Sequence, residues 1–227
     1  MLFLLVRRKQ RRKGKGKGSG DTLKIDMTTH TSVIGITQSG KTILTREMFY
    51  DTGGLFIDVE DLGDIKADIT LTRRSSPKRF VDVLKRYKRV KYIPHEKPEK
   101  SKIEIKWIWN TLIKMNKNMY VYADEIQNWG DSRKNEFDVF AIRGLKHGLH
   151  LVAVSQRPAK ISKTIISQSK TIIFFDISTF EKKYFKEYEL PYDEINSMFV
   201  EAPKYSFVVF TKGKGLFGPY RLENIEL

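Results

Sequence analysis

The chain has 227 residues, 42 Lys and Arg against 27 Asp and Glu, a net charge of +15, 40% hydrophobic residues, four histidines and no cysteine. That size and apolar content suit one folded domain with tails. The missing cysteines exclude disulfide frameworks and thiolate metal sites, no apolar run reaches the roughly 20 residues of a membrane span, and the charge favours a polyanionic partner, nucleic acid ahead of membrane.

The charge is concentrated. Residues 7–17 carry eight Lys and Arg with no acid, and residues 66–106 carry fourteen against five acids. Met1–Val6 is apolar but too short for a signal peptide, and its basic block follows the apolar run instead of preceding it. Residues 1–20 therefore read as a disordered basic N-terminal arm, and 21–227 as a single domain. Such an arm can hold backbone phosphates without sequence preference. A localisation tail or a membrane-facing tail is the alternative.

Leu23–Met27 alternates like an edge strand, and Thr31–Ile34 reads as a short buried one. Next comes GITQSGKT, the residues Gly35, Ile36, Thr37, Gln38, Ser39, Gly40, Lys41 and Thr42. This is the phosphate-binding pattern G-x-x-x-x-G-K-[ST] between a strand and a helix. Its glycines let successive N–H groups turn toward phosphate oxygens. Lys41 reaches the β- and γ-phosphates, and Thr42 offers a hydroxyl to Mg²⁺. The ligands implied are ATP and Mg²⁺.

Ile43–Phe49 continues as a helix stopped at Gly53-Gly54, and Leu55–Val59 is a second buried strand. Ser76-Pro77 caps a helix with Phe80, Val81, Leu84 and Tyr87 at helical spacing and Lys85, Arg86, Lys88 and Arg89 opposite. Val90–Ile93 is a strand, His95–Lys100 a polar loop, and 101–117 a helix burying Trp107, Ile108, Leu112 and Ile113. Trp107 and Trp109 suit core packing better than base stacking.

Met119–Ala123 reads as a strand ending in Asp124 and Glu125. An acid at that point fits the holder of Mg²⁺, and the acid beside it fits the base that deprotonates an attacking water. Residues 132–146 read as a helix, and Leu149–Ser155 as a strand ending at Gln156, whose amide suits both a γ-phosphate and that water. Helices at 161–168, 179–188 and 192–199, a strand at 171–175, and two terminal strands around a Lys-Gly-Lys-Gly turn complete the chain. Strands alternating with helices predict an α/β fold, a mainly parallel sheet covered on both faces.

The order GITQSGKT, IDVED, VYADE, GLHLVAVSQRP and TIIFFDIS resembles the FtsK–HerA superfamily of DNA-pumping ATPases over roughly residues 28–211. The compact chain looks most like the genome-packaging ATPases of archaeal and bacterial viruses with internal membranes. The resemblance implies a RecA-like core in which the strand ending at Gln156 separates the Walker A and Walker B strands. Gly35–Thr42 would be Walker A, Asp124 and Glu125 Walker B, and Gln156 the γ-phosphate sensor. It further implies a hexameric ring with ATP sites between subunits and double-stranded DNA in the pore. Such a ring would work in the host cytoplasm, at the capsid or with viral membrane proteins. Relatives often supply an arginine to the neighbour's ATP from a stretch before the sensor strand. Here that stretch is Arg143-Gly144-Leu145-Lys146, with Leu145 where the arginine would fall. Arg143 is the first candidate, with Lys146 and Arg157 behind it.

Other readings are a conjugation, DNA-partitioning or filamentous-phage assembly ATPase of the same superfamily, a small-molecule kinase, and a basic DNA-binding protein with a vestigial loop. The kinase would need an acceptor site and an arginine-bearing lid, whereas Asp124, Glu125 and Gln156 suit water.

Overall fold

Strands in chain order are Phe3–Arg7 (β1), Thr22–Asp26 (β2), His30–Ile34 (β3), Gly54–Ile57 (β4), Ile69–Thr72 (β5), Arg89–Ile93 (β6), Met119–Ala123 (β7), Leu149–Ser155 (β8), Ser169–Phe174 (β9), Ser206–Thr211 (β10) and Gly215–Arg221 (β11). The helices are Lys41–Thr52 (α1), Pro77–Arg86 (α2), Pro98–Met115 (α3), Asp138–Arg143 (α4), Lys163–Gln168 (α5), Lys182–Glu187 (α6) and Tyr192–Phe199 (α7). These come from a computed structural model that describes residues 3–7, 22–59, 61, 65–130 and 133–221.

Every residue of β3 is buried, so it needs a strand on each edge and cover on each face. It has both. Nine strands form one sheet in the order β11-β10-β9-β3-β8-β7-β4-β6-β5. From β9 to β5 all neighbours are parallel, while β10 and β11 close one edge as an antiparallel hairpin. Alternate residues of β3 serve different cores. Val33 packs with Leu44, Met48 and Phe49 of α1, and Ile34 packs in the core fed by α2 to α7. The two faces are thus unequally clothed, one by α1 with Ile25 and Met27 beside it, the other by the remaining helices.

Several expectations are revised. Phe3–Arg7, assigned to the disordered arm, pairs antiparallel with Thr22–Asp26; Leu4, Leu5 and Val6 favour extended backbone, and β2 offers them an open edge. Residues 1, 2 and 8–21, which hold nearly all of the arm's charge, lie outside the described residues. β2 belongs to that small hairpin and not to the main sheet. The polar loop at 95–100 is shorter than expected, because Pro98 starts α3 at a position where a missing N–H costs nothing.

The single helix expected at 132–146 is replaced by α4 and a 3₁₀ turn at Gly144–His147, and another 3₁₀ turn precedes it at Ile126–Trp129. The interruption is Asn135: its amide donates to Ile126 O at 3.0 Å and its oxygen accepts from Phe137 N at 3.0 Å. Side chains that satisfy backbone groups in this way compete with helix formation. Both tryptophans pack as expected, with the roles exchanged. Trp109 is buried, its ring centroid 4.1 Å from that of Phe140, while Trp107 is half-buried against Phe80.

Candidate active site

β3 hands the chain to the loop 35–40, and α1 begins at Lys41. Gly40 caps the helix at φ 108°, a backbone that side chains resist. Gly35 is needed for space: a Cβ there would stand 2.5 Å from Phe175 Cβ. Gln38 takes φ 59° between them. The first turn of α1 contains no acid, so its N–H groups and the positive end of its dipole stay available to an anion. Lys41 is buried, and its ammonium donates to Ile36 O at 2.7 Å. Burial pushes its pKa down, opposed by the charges of Glu125 and Asp124.

β8 lies between β3 and β7, so parallel strands bring the loop, Gln156 and the acids after β7 to one edge of the sheet. Asp124 is buried and accepts from Glu125 N at 2.9 Å. Burial pushes its carboxyl up to about 7, with the negative charges of Glu125 and Asp58 adding to the effect. Asp58, at the tip of the adjacent β4, is itself buried, 3.5 Å from the Lys91 ammonium. Burial raises its pKa and Lys91 opposes that rise. Carboxylates so crowded and desolvated are stabilised by a cation. Among the described residues no three His, Cys, Asp or Glu converge as a metal cage. The donor set fits Mg²⁺ held by one acid, Asp124, and one hydroxyl, Thr42, with a nucleotide's own oxygens.

Glu125 stands in left-handed backbone, φ 51° and ψ 47°. Gln156 Nε2 donates to its Oε1 at 2.7 Å, and the Gln127 amide donates to its Oε2. Thr37 Oγ1 donates to Gln156 Oε1 at 2.7 Å. A continuous chain therefore runs from the phosphate loop through Gln156 to Glu125 and on to Gln127. Ser155 Oγ donates to Gln127 Oε1 at 2.8 Å and accepts from Arg157 N at 3.2 Å. The base candidate is fixed at both oxygens by carboxamides.

The sequence matches no protein-family model and no curated protein. Solved structures match in three dimensions. The DNA-packaging ATPase B204 of Sulfolobus turreted icosahedral virus superposes with a TM-score of 0.68 at 14% identity, over 87% of this chain and 100% of that one. VirB4 of Thermoanaerobacter pseudethanolicus gives 0.61 at 8%, over 85% and 91%. EssC of Geobacillus thermodenitrificans gives 0.59 at 13%, over 91% of this chain and 42% of that one. The chain shares a RecA-like P-loop ATPase fold with these structures.

Within this fold, Lys41, Thr37, Gln156, Asp124 and Glu125 meet, and Arg143 does not join them. It ends α4, exposed, just before β8 begins. Seven strand residues lie between it and Gln156, about 23 Å at strand rise. Arg143 and Lys146 thus lie away from the Gln156–Glu125 site of their own chain, whereas Arg157 lines a cleft with Gly35 and Thr37. Sequence reasoning missed Gln127, Ser155 and Asp58 as members of the site. Gln127 is two residues beyond Glu125, on a 3₁₀ turn in a stretch to which the sequence reading assigned no element.

Proposed function

We propose that the chain is an ATP-driven DNA translocase that packages a viral double-stranded genome. The observation that carries the reading is the Thr37–Gln156–Glu125 chain beside Lys41, an arrangement suited to moving a proton from water next to a γ-phosphate. Lys41 neutralises charge on the transferring phosphoryl group, Gln156 orients the water, and Glu125 accepts its proton. Thr42 and Asp124 would hold Mg²⁺, which would add charge neutralisation at the phosphate oxygens.

Support for a polyanionic track comes from Arg73, Arg74, Lys78, Arg79, Lys85 and Arg86, all exposed on and before α2. Arg89 and Lys91, by contrast, are engaged by Asp68, Asp58 and Asp61. Complete coverage of the B204 packaging ATPase supports the packaging duty. Similarity to VirB4 and EssC keeps the other polymer motors of the superfamily as the second reading. The working state is a ring, taken as a hexamer, with Arg143, Lys146 or Arg157 reaching a neighbour's ATP, in the cytoplasm and docked on capsid or viral membrane proteins.

The test is ATP turnover with and without duplex DNA. Stimulation that falls steeply with salt, with log affinity dropping about 0.9 per phosphate contact against log salt, is the expected result. Turnover indifferent to DNA removes the translocase reading, and no turnover removes the ATPase.

A further inference from the structure

Parallel strands give the sheet two unlike edges, and the nucleotide machinery uses the one where strands end. At the other, where β4 begins at Gly54 and β7 at Met119, a cavity of about 230 Å³ opens. Asp124 follows the far end of β7, about 17 Å away at strand rise. Lys88, Lys117, Asn118, Tyr87 and Tyr120 line the cavity, and no acid is among its described lining residues.

Helices α1 and α2 end here, and their terminal carbonyls disfavour an anion. Lysines answer them. Lys88 Nζ donates to Asp51 O at 3.1 Å, and Lys117 Nζ donates to Leu84 O at 2.6 Å. An ammonium has three donors, so each is held in place by one bond and keeps two for another acceptor. Asn118 is exposed, and its Oδ1 accepts from His150 Nε2 at 3.1 Å, which leaves the amide nitrogen to donate. Tyr87, 41% exposed, also lines a second furrow of about 370 Å³ along α2, with Lys78, Arg79, Arg86 and one acid, Asp82. Donors gathered without a carboxylate suit phosphate. Cations strung along a helix suit a strand, whose phosphates follow one another, better than a flat lipid surface. We propose that this cavity seats a backbone phosphate of DNA, held by Lys88, Lys117 and Asn118 at the edge of the sheet opposite the ATP site. The assignment rests on the DNA-translocase reading and adds a contact outside α2 and the N-terminal arm.

The experiment follows binding of one blunt DNA duplex to the full chain against salt, in wild type, in the double variant Lys88→Gln with Lys117→Gln, and in Asn118→Asp. The double variant should flatten the log–log slope by about two units. Asn118→Asp keeps the acceptor for His150 but turns a negative charge on the phosphate. Its affinity at one low salt concentration should fall roughly tenfold or more. ATP turnover without DNA stays at the wild-type value in both variants. An unchanged slope overturns the seat, and with a lowered melting temperature it leaves the lysines as helix caps only. Wild-type affinity in Asn118→Asp overturns it too. Vesicles of phosphatidylserine and phosphatidylcholine form the second arm: binding to them that the substitutions abolish, with the DNA slope unchanged, also overturns it. In each of these cases the wild-type chain still binds DNA and the translocase reading stands. A wild-type chain that ignores DNA at low salt overturns both.

Discussion

The loop after β3 and the turn after β7 both send the chain through left-handed backbone two strands apart, and they do so with different residues. At the loop the helix-capping position is Gly40, at φ 108°; at the turn it is Glu125, at φ 51°. The loop acts on an anion through its N–H groups, so a residue without a side chain serves it. The turn acts through a carboxylate, so the strained backbone is accepted and stabilised by neighbours. Those neighbours are Gln156 and Gln127, one on each oxygen. A function carried by backbone leaves glycine in the sequence, and a function carried by a positioned side chain leaves its supports scattered.

Breaking each side of that contrast has separate consequences. Lys41→Ala removes the only side-chain cation of the loop, and turnover should drop on the order of a thousandfold with ATP affinity reduced as well; steady-state kinetics with a nucleotide-binding titration check both. Glu125→Gln keeps the shape and the hydrogen-bonding capacity of the turn but cannot accept a proton. Turnover should fall roughly a hundredfold or more while ATP binding survives, and retained wild-type turnover would place the base elsewhere.

Gln127→Met sharpens the comparison, because it removes one support of Glu125 and leaves the loop intact. We expect kcat to fall roughly tenfold, the worth of one hydrogen bond to a charged group, with KM within about twofold. A variant that raises KM and spares kcat would show Gln127 to be a merely structural neighbour of the loop.

The smallest effect concerns stability alone and comes from the far end of β3. His30 is buried, with Nε2 3.0 Å from Ala141 O and Nδ1 accepting from Leu151 N at 2.8 Å. Burial pushes its pKa down to about 4, with the positive charge of His150 contributing, so the folded chain keeps it neutral. The unfolded chain takes the proton first as pH falls through the ordinary histidine value of 6.5. Stability contributed above that value is therefore lost between pH 6.5 and about 4, at up to about 1.4 kcal/mol per pH unit. His30→Gln should flatten that limb in denaturant titrations, and Lys41→Ala and Glu125→Gln should leave it unchanged.

Much of this was legible beforehand, for reasons that differ by element. β8 runs apolar from Leu151 to Val154 and β9 from Ile172 to Phe174 because both faces are covered, and Ser76-Pro77 marks the start of α2 through the cap that Ser76 Oγ makes with Arg79 N. The hairpin of Phe3–Arg7 with Thr22–Asp26 was not legible, since its pairing spans an intervening stretch that carries no strand signal. The break at Asn135 was hidden for a related reason: its partners Ile126 and Phe137 flank a stretch that still looks helical.

Local pattern alone dictated the phosphate loop, the acids after β7 and the alternation that makes a parallel sheet, because each depends on residues adjacent in the chain. The order of strands decided the rest. Gln156 stands between Thr37 and Glu125 because β8 is inserted between β3 and β7. Ser155 reaches Gln127 across 28 residues of sequence for the same reason. Arg143, close to Gln156 in the chain, is carried to the opposite end of β8. Hydrogen bonds and charges act over a few ångströms of space, and only the packed sheet sets which distant residues share that space.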